Sequence, residues 1–185
     1  MKTKELVISA LFVALTAISA FIKIQLPFVP LTFQLIVAIA SGIFLGPKFG
    51  PLSQAVYLVL GLIGVPIFAD GGGIAYVLRP TFGYLVSLPL ASFVSGALWK
   101  KQVAVKSMGI FLGILSTYLI GVPYLWMIVN LVAKKPMSFE NAIVAGFWPF
   151  IVKDIVLGVV LFMVALPVSK YLESKNTSSS KTTAR

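Results

Sequence analysis

Long apolar runs dominate this sequence and limit what it can fold into. Hydrophobic residues make up 59% of the 185 residues and charged residues 11%, whereas a soluble domain has about 25% charged residues. A membrane-spanning helix needs about 20 mainly apolar residues, so the chain has room for six. The predicted helices cover residues 6–22, 33–45, 52–63, 81–99, 108–132 and 149–166, with a short helix at 139–147. The sequence therefore predicts an all-α integral membrane protein, a six-transmembrane-helix bundle.

Proline, glycine and polar residues set the boundaries of these helices. Residues 46–51 read as a tight turn, and residues 23–32 form a break that contains two prolines. Thr32 and Ser138 are suited to cap the helices that follow them. Residues 1–170 are predicted to form one six-helix transmembrane domain, and residues 171–185 a polar, disordered tail.

The distribution of positive charge predicts the orientation of the bundle. Six spans place both termini on one side, and that side, with Lys48 and the loop after Trp99, holds ten of the fifteen Lys and Arg residues. Cytoplasmic loops carry the excess of basic residues in membrane proteins. Both termini are therefore predicted to be cytoplasmic, in a multi-pass protein of the cytoplasmic membrane. The same rule accounts for the net charge of +10 without nucleic acid as a partner.

The composition excludes several kinds of chemistry. The chain has no Cys and no His, so thiol or imidazole catalysis and the usual soft metal sites are ruled out. It also lacks a phosphate-binding loop with its Lys and hydroxyl residue, and it has no acidic cluster for magnesium. We therefore expect no enzymatic activity, no metal and no cofactor, and expect that the chain does not hydrolyse ATP by itself.

Two adjacent opposite charges, Lys153 and Asp154, lie at the start of the last apolar segment. Ionisable groups are costly in a membrane and are functional candidates by default. Asp70 and Arg79 are predicted to lie on the same outer side, which favours an outward-facing small-molecule site. A carboxylate accepts hydrogen bonds from N–H groups, and a guanidinium or ammonium binds a carboxylate. The alternatives are a structural ion pair for Lys153 and Asp154, a headgroup anchor for Arg79 and a turn role for Asp70.

Other polar and small side chains are weaker candidates. Gln34 and Tyr57 are polar groups in predicted helices, where binding and interhelical hydrogen bonding are both open. Ala10 and Ala14 are four residues apart and share one helix face, which allows close packing within this protein or against a partner protein.

Four short motifs together resemble the BioY family. They are Val-Pro-Leu-Thr-Phe-Gln at residues 29–34, Gly-Leu-Ile-Gly-Val-Pro-Ile-Phe-Ala at 61–69, Pro-Thr-Phe-Gly-Tyr at 80–84, and Pro-Phe at 149–150, four residues before an aspartate. Each motif is weak alone, but the combination is specific, and the resemblance covers residues 6–166.

The resemblance implies a function and partners. BioY proteins are biotin-specific substrate-binding components of energy-coupling factor (ECF) transporters, which implies a six-helix bundle that captures biotin outside the cell. It also implies a transmembrane coupling protein and two cytoplasmic ATPases as partners, with Ala10 and Ala14 docking the coupling protein. Biotin would be the transported ligand and not a cofactor. Asp154 would accept a ureido N–H, and Arg79 or Lys153 would bind the carboxylate or the ureido oxygen.

Aromatic walls complete this hypothesis, and the sequence also departs from the family pattern. The candidate walls are Phe68, Tyr84 and Trp148. After the Pro-Phe pair the family commonly has Leu-Pro-Gly-Asp-Leu-x-Lys. Here Leu157 stands at the lysine position, and Lys153 stands where glycine is usual. The alternatives to biotin capture are another vitamin bound by the same architecture, or a self-sufficient secondary carrier.

Overall fold

The computed structural model describes residues 3–134 and 136–183, the segment 172–183 as backbone alone. In this part of the chain the fold is mainly helical, and five helical stretches are long and apolar enough to cross a membrane. The elements are α1 (Thr3–Phe21), β1 (Lys23–Ile24), β2 (Leu31–Thr32), α2 (Gln34–Leu62), a 3-10 helix (Ile74–Leu78), α3 (Phe82–Trp99), α4 (Val103–Leu131), α5 (Phe139–Gly146) and α6 (Trp148–Thr183).

Helix α2 doubles back on itself at Gly46. This residue has φ +77° and ψ 179°, and the helical hydrogen-bond pattern continues on both sides. In a straight helix Gln34 and Tyr57 would be about 34 Å apart, yet Gln34 Nε2 donates to Tyr57 Oη at 2.7 Å. Gly42 and Gly50 also touch across the reversal. The turn predicted at residues 46–51 is therefore confirmed, but only Gly46 leaves the helical conformation.

A buried polar cluster joins the two arms of α2 to α1 and α3. Gln54 is fully buried and hydrogen-bonds Thr16 of α1 and Ser41 of the opposite arm at 3.2 Å each. Ser41 Oγ lies 2.9 Å from Ser92 Oγ of α3. Interhelical hydrogen bonds of this kind hold membrane helices together where lipid gives no hydrophobic driving force.

The segment between α1 and α2 folds over one end of the bundle. Lys23 pairs with Thr32, and Ile24 with Leu31, in a two-stranded antiparallel sheet that was not predicted. The prediction that Thr32 caps α2 was wrong, because Phe33 is at the cap position and the cap has no side-chain hydrogen bond. Ser138 does cap α5, since its hydroxyl accepts from the backbone N–H of Asn141 at 3.2 Å.

The tail predicted to be disordered, residues 171–185, overlaps the last part of α6, whose bounds extend to Thr183. The disorder of this tail stays a prediction. Five residues lie outside the described part of the chain: Met1, Lys2, Lys135, Ala184 and Arg185. Lys2, Lys135 and Arg185 are among the fifteen basic residues from which the orientation of the bundle is predicted.

Candidate ligand-binding site

A cavity lies between α2, α3, α4, α6 and the segment that precedes α2. It encloses about 430 Å³ of space, its open mouth included. Its lining is mostly apolar with a few polar groups. The lining residues are Val29, Pro30, Thr32, Gln34, Leu35, Tyr84, Leu85, Leu88, Thr117, Tyr118, Phe150, Lys153 and Asp154.

Asp154 is the buried charge of this cavity, and both of its oxygens have partners. It is 5% exposed. Lys153 Nζ lies 2.7 Å from Asp154 Oδ1, and the Tyr118 hydroxyl donates a short hydrogen bond to Oδ2. A carboxylate has about four acceptor positions, so Asp154 can still accept N–H groups from a ligand.

Lys153 connects this carboxylate to the segment between α1 and α2, which covers the cavity. Its ammonium donates to the Thr32 carbonyl oxygen at 2.6 Å and lies 5.8 Å from the centroid of the Phe33 ring. The adjacent residues Lys153 and Asp154 do form an ion pair, which their positions on a helix did not guarantee. The pair is at the same time part of the cavity wall.

Gln34 and Tyr84 also line the cavity, whereas Tyr57 lies behind it. Gln34 donates to the Tyr57 hydroxyl, which in turn donates to the Ile67 carbonyl oxygen at 2.8 Å. Tyr57 is fully buried and therefore orients Gln34 and anchors the loop after α2. The Tyr84 hydroxyl donates to the Gly146 carbonyl oxygen at 2.9 Å, so this ring is fixed against α5.

Arg79 and Asp70 form a separate cluster with Lys23 and do not line the cavity. Lys23 Nζ lies 2.6 Å from Asp70 Oδ1, and Arg79 lies 3.4 Å from Oδ2. Lys23 also donates to the Ala69 carbonyl oxygen. Arg79 stacks over the Tyr76 ring, 5.2 Å from its centroid. The cluster thus joins the β1–β2 segment to the loop before α3.

A smaller pocket of about 270 Å³ adjoins the cavity beneath this cluster. It shares Gln34 and Tyr84 with the main cavity and adds Ala69, Tyr76 and Thr81. Burial raises the pKa of the Tyr76 phenol above its ordinary value of 10.0, so it stays a neutral hydroxyl. Its ring lies 4.7 Å from the Phe68 ring, centroid to centroid.

Of the predicted aromatic walls, the structure brings only Tyr84 to the cavity. Phe68 is fully buried between Tyr57 and Tyr76, so it supports the site from behind. Trp148 is 61% exposed and packs on Phe147 instead. A tryptophan at the start of a transmembrane helix is typical of the membrane–water interface.

Sequence reasoning missed Tyr118 and Thr117, which approach the cavity from α4. Tyr118 places a phenol hydroxyl inside a long apolar helix, and a buried tyrosine hydroxyl usually has a hydrogen-bond partner. That rule could have singled it out as a partner for a buried charge. Lys23 was missed because nothing in its local sequence indicates that it reaches Asp70, 47 positions away.

Ala10 and Ala14 are both exposed on α1. The buried face of this helix is formed by other residues: Ser9, Phe12, Thr16, Ser19 and Ala20. The two alanines therefore lie on the surface that α1 turns away from the bundle. Among the described residues, no group of three or more Asp, Glu, His or Cys side chains could hold a metal ion.

A model of the BioY family matches residues 1–174. The chain belongs to the BioY family. Its relatives in that family include the "Probable biotin transporter BioY" of Lysinibacillus sphaericus, 39% identical over 93% of this chain and 90% of that protein. A protein with the same description from Pyrococcus horikoshii is 40% identical over 89% of this chain and 96% of that protein.

The fold comparison agrees with this family membership. A crystal structure at 2.1 Å of the S-component for biotin from an ECF-type ABC transporter matches with a TM-score of 0.79 at 24% identity. The match covers 91% of this chain and 92% of that one. The BioY chain described here therefore has the fold of an S-component.

Proposed function

We propose that this BioY chain captures biotin from outside the cell and takes it up as the substrate-binding component of an ECF transporter. The observation that carries the proposal is a buried carboxylate, Asp154, held between Lys153 and Tyr118 in the wall of a mostly apolar cavity. Its relatives, described as biotin transporters, support the same ligand. The chain is a transport protein and not an enzyme.

The chemistry of biotin suits this cavity. Its ureido group offers two N–H donors and one carbonyl oxygen, and its side chain ends in a carboxylate. Asp154 accepts a ureido N–H at one of its remaining lone pairs, and Lys153 donates to the ureido oxygen or to the carboxylate. Leu85 and Leu88 contact the hydrocarbon part of the ligand. Arg79 is the less favoured partner, because its guanidinium faces Asp70 outside the lining.

The remaining predicted site residues have indirect roles in this proposal. The side-chain amide of Gln34, whose orientation is fixed by Tyr57, donates a hydrogen bond to the ligand or accepts one from it. Phe68 packs against Tyr76 and so supports the adjoining pocket. Asp70 pairs with Lys23 and Arg79 outside the cavity lining and does not contact the ligand.

The fold supports six membrane crossings. The reversal at Gly46 divides α2 into two arms. We count each arm as one crossing, so that with α1, α3, α4 and α6 the proposed topology has six crossings and both termini on one side. The excess of basic residues on that side supports a cytoplasmic location for both termini. The site then opens outward from the cytoplasmic membrane. Residues 1–170 form the substrate-binding domain, and residues 171–185 its polar tail.

The proposed partners are those of an ECF transporter. They are a transmembrane coupling protein and two cytoplasmic ATPases. The ATPases supply the energy for transport, because the sequence of this chain has no phosphate-binding loop. The exposed pair Ala10 and Ala14 allows a partner helix to approach α1 closely. Membrane lipid covers the other apolar faces.

Titration calorimetry on the purified, detergent-solubilised protein tests the ligand. Biotin should bind with one-to-one stoichiometry, while riboflavin and thiamine should give no binding heat. Binding of another vitamin in place of biotin would reassign the ligand but keep the architecture. A second assay tests the partners, since uptake of labelled biotin into vesicles that lack any ATPase would favour a self-sufficient carrier.

A further inference from the structure

A second groove lies between α4 and α6, separate from the ligand cavity. It encloses about 440 Å³, its open side included, and shares no lining residue with that cavity. Its walls are apolar apart from one serine. The lining residues are Ser107, Ile110, Phe111, Ile114, Ile155, Gly158, Val159 and Phe162. Gly158 deepens the groove, because a Cβ there would lie only 3.1 Å from Ile114 Cδ1.

Positive charge collects where the groove ends at Ser107. Lys106, the preceding residue, is half-buried, and its Nζ lies 5.3 Å from the centroid of the Trp99 ring. The Trp99 ring packs against Phe162 of the groove, with ring centroids 6.2 Å apart. Lys100 and Lys101 are exposed in the turn between α3 and α4, which precedes Lys106. The sequence has no acidic residue between Asp70 and Glu140 to offset these cations.

We propose that this groove binds an anionic glycerophospholipid. One acyl chain lies between α4 and α6, and the phosphate lies beside the ammonium groups of Lys106 and Lys101. Basic pockets between transmembrane helices are sites for anionic headgroups, and an apolar channel leading away from such a pocket suits the chain of the same molecule. The ring of Trp99, which Lys106 covers, packs against Phe162 of the groove and so holds this ammonium next to the groove.

The charge at the end of the groove favours an anionic lipid over an apolar partner helix, because an apolar helix would leave the lysines there without an anion. The proposal rests on the placement of the chain in a membrane and does not depend on which vitamin the chain binds.

Native mass spectrometry of the full-length protein, released from detergent, tests this site. Phosphatidylglycerol and phosphatidylcholine with identical acyl chains are titrated separately. We expect the first phosphatidylglycerol to bind at least about fivefold more tightly than phosphatidylcholine, since one lysine near a headgroup contributes about 1 kcal/mol. Equal affinity for the two lipids would overturn the proposal.

Two pairs of variants separate this site from general surface charge and general lipid contact. Lys106→Gln should weaken binding of phosphatidylglycerol about fivefold, whereas Lys48→Gln should not. Lys48 is a matched control because its Nζ also lies over an aromatic ring, at 5.6 Å, but away from the groove. Val159→Trp should fill the groove and remove the tight lipid. Its neighbour Val160 is similarly exposed but does not line the groove, so Val160→Trp should keep it.

Each contrary outcome counts against the site. If Lys106→Gln and Lys48→Gln weaken the binding of phosphatidylglycerol equally, the lipid is attracted by the overall positive charge of the surface and not by this groove. A Val159→Trp protein that keeps its lipid but no longer binds a transmembrane partner would mean that the groove holds a helix. Thermal unfolding midpoints equal to that of the parent show that the variants are folded.

Discussion

Replacement of Asp154 by asparagine is the sharpest test of the ligand site. The substitution keeps the size of the side chain but removes its charge and replaces one acceptor oxygen with an N–H donor. At the position of Oδ1 that donor faces the ammonium of Lys153, and at the position of Oδ2 it faces the hydroxyl of Tyr118, which would have to turn to accept from it. In either case the site has fewer acceptor positions for the N–H groups of the ligand. A hydrogen bond to a charged group contributes about 1.5–3 kcal/mol, and a buried donor left unpaired adds about 1–3 kcal/mol.

The expected loss follows from these two terms, which overlap in part. We expect Asp154→Asn to lose about 2–4 kcal/mol of biotin binding, so Kd should rise about 30- to 1,000-fold. Titration calorimetry in detergent measures this directly. Asp154 is 5% exposed, so the thermal unfolding midpoint of the variant must be measured alongside its affinity.

Asp70→Asn is the matched control for this experiment. Asp70 is also a carboxylate in an ion pair with lysine, but it lies outside the cavity lining. Its substitution should change Kd by less than about threefold, a difference of well under 1 kcal/mol. If Asp154→Asn is folded and also stays within that limit, Asp154 does not bind the ligand. If the two variants lose affinity equally, the effect belongs to the charge of the outer face and not to the cavity.

Four further substitutions test other parts of the structure. Tyr118→Phe removes the hydroxyl that bonds the site carboxylate and should raise the biotin Kd roughly fivefold by calorimetry; no change would mean that this bond is not needed. Trp148→Ala should leave that Kd within about twofold, because the ring is 61% exposed. Ala14→Trp should keep biotin binding but lower co-purification with the coupling protein. Gly61→Ala should destabilise the fold by about 1–3 kcal/mol in thermal unfolding, because its Cβ would lie 2.1 Å from the Phe68 ring.

The positions of the helices followed from the sequence, but one connection did not. Apolar length and proline or glycine boundaries located most helix ends to within about five residues, although the bounds of α6 extend to Thr183 and not to about residue 166. A tight turn was predicted over residues 46–51, but the structure needs only Gly46 to reverse the chain. The reversal is this tight because Gly42 and Gly50 let the two arms touch. Such a contact depends on pairs of positions and is not visible in either segment alone.

The charged pair predicted for the site lies in the wall of the cavity, whereas several of the other predicted residues lie outside it. The cost of placing charge in a membrane singled out Asp154 and Lys153, and both line the cavity. The same reasoning could not say where the long side chain of Arg79 points, because a loop arginine reaches equally well inward or toward a neighbouring carboxylate. The structure shows it beside Asp70. Charge type can be read from a sequence, whereas the direction of a flexible side chain depends on its neighbours in space.

Trp148 and Phe150 illustrate the same limit on one helix. They are two positions apart at the start of α6, so they point in directions about 160° apart. Phe150 is buried in the cavity wall, and Trp148 faces outward. The sequence reasoning chose the larger ring as the wall, although only one of the two positions can face inward with Asp154. Phe150, four residues before Asp154, shares its helix face and was the better choice.

Lys153 explains how this chain keeps a lysine at the site while departing from the family pattern. Residue 157, where the family commonly has lysine, is leucine here, and the ammonium comes instead from the residue immediately before Asp154. From that position it reaches both the Asp154 carboxylate, at 2.7 Å, and the Thr32 carbonyl oxygen, at 2.6 Å. Thr32 belongs to the segment that covers the cavity. A ligand that draws the ammonium toward its own oxygen therefore competes with the bond that fastens this cover. We therefore expect ligand binding and the position of the Thr32 segment to be linked through this one side chain, a link that a lysine one helical turn further along α6 would have to make from a different direction.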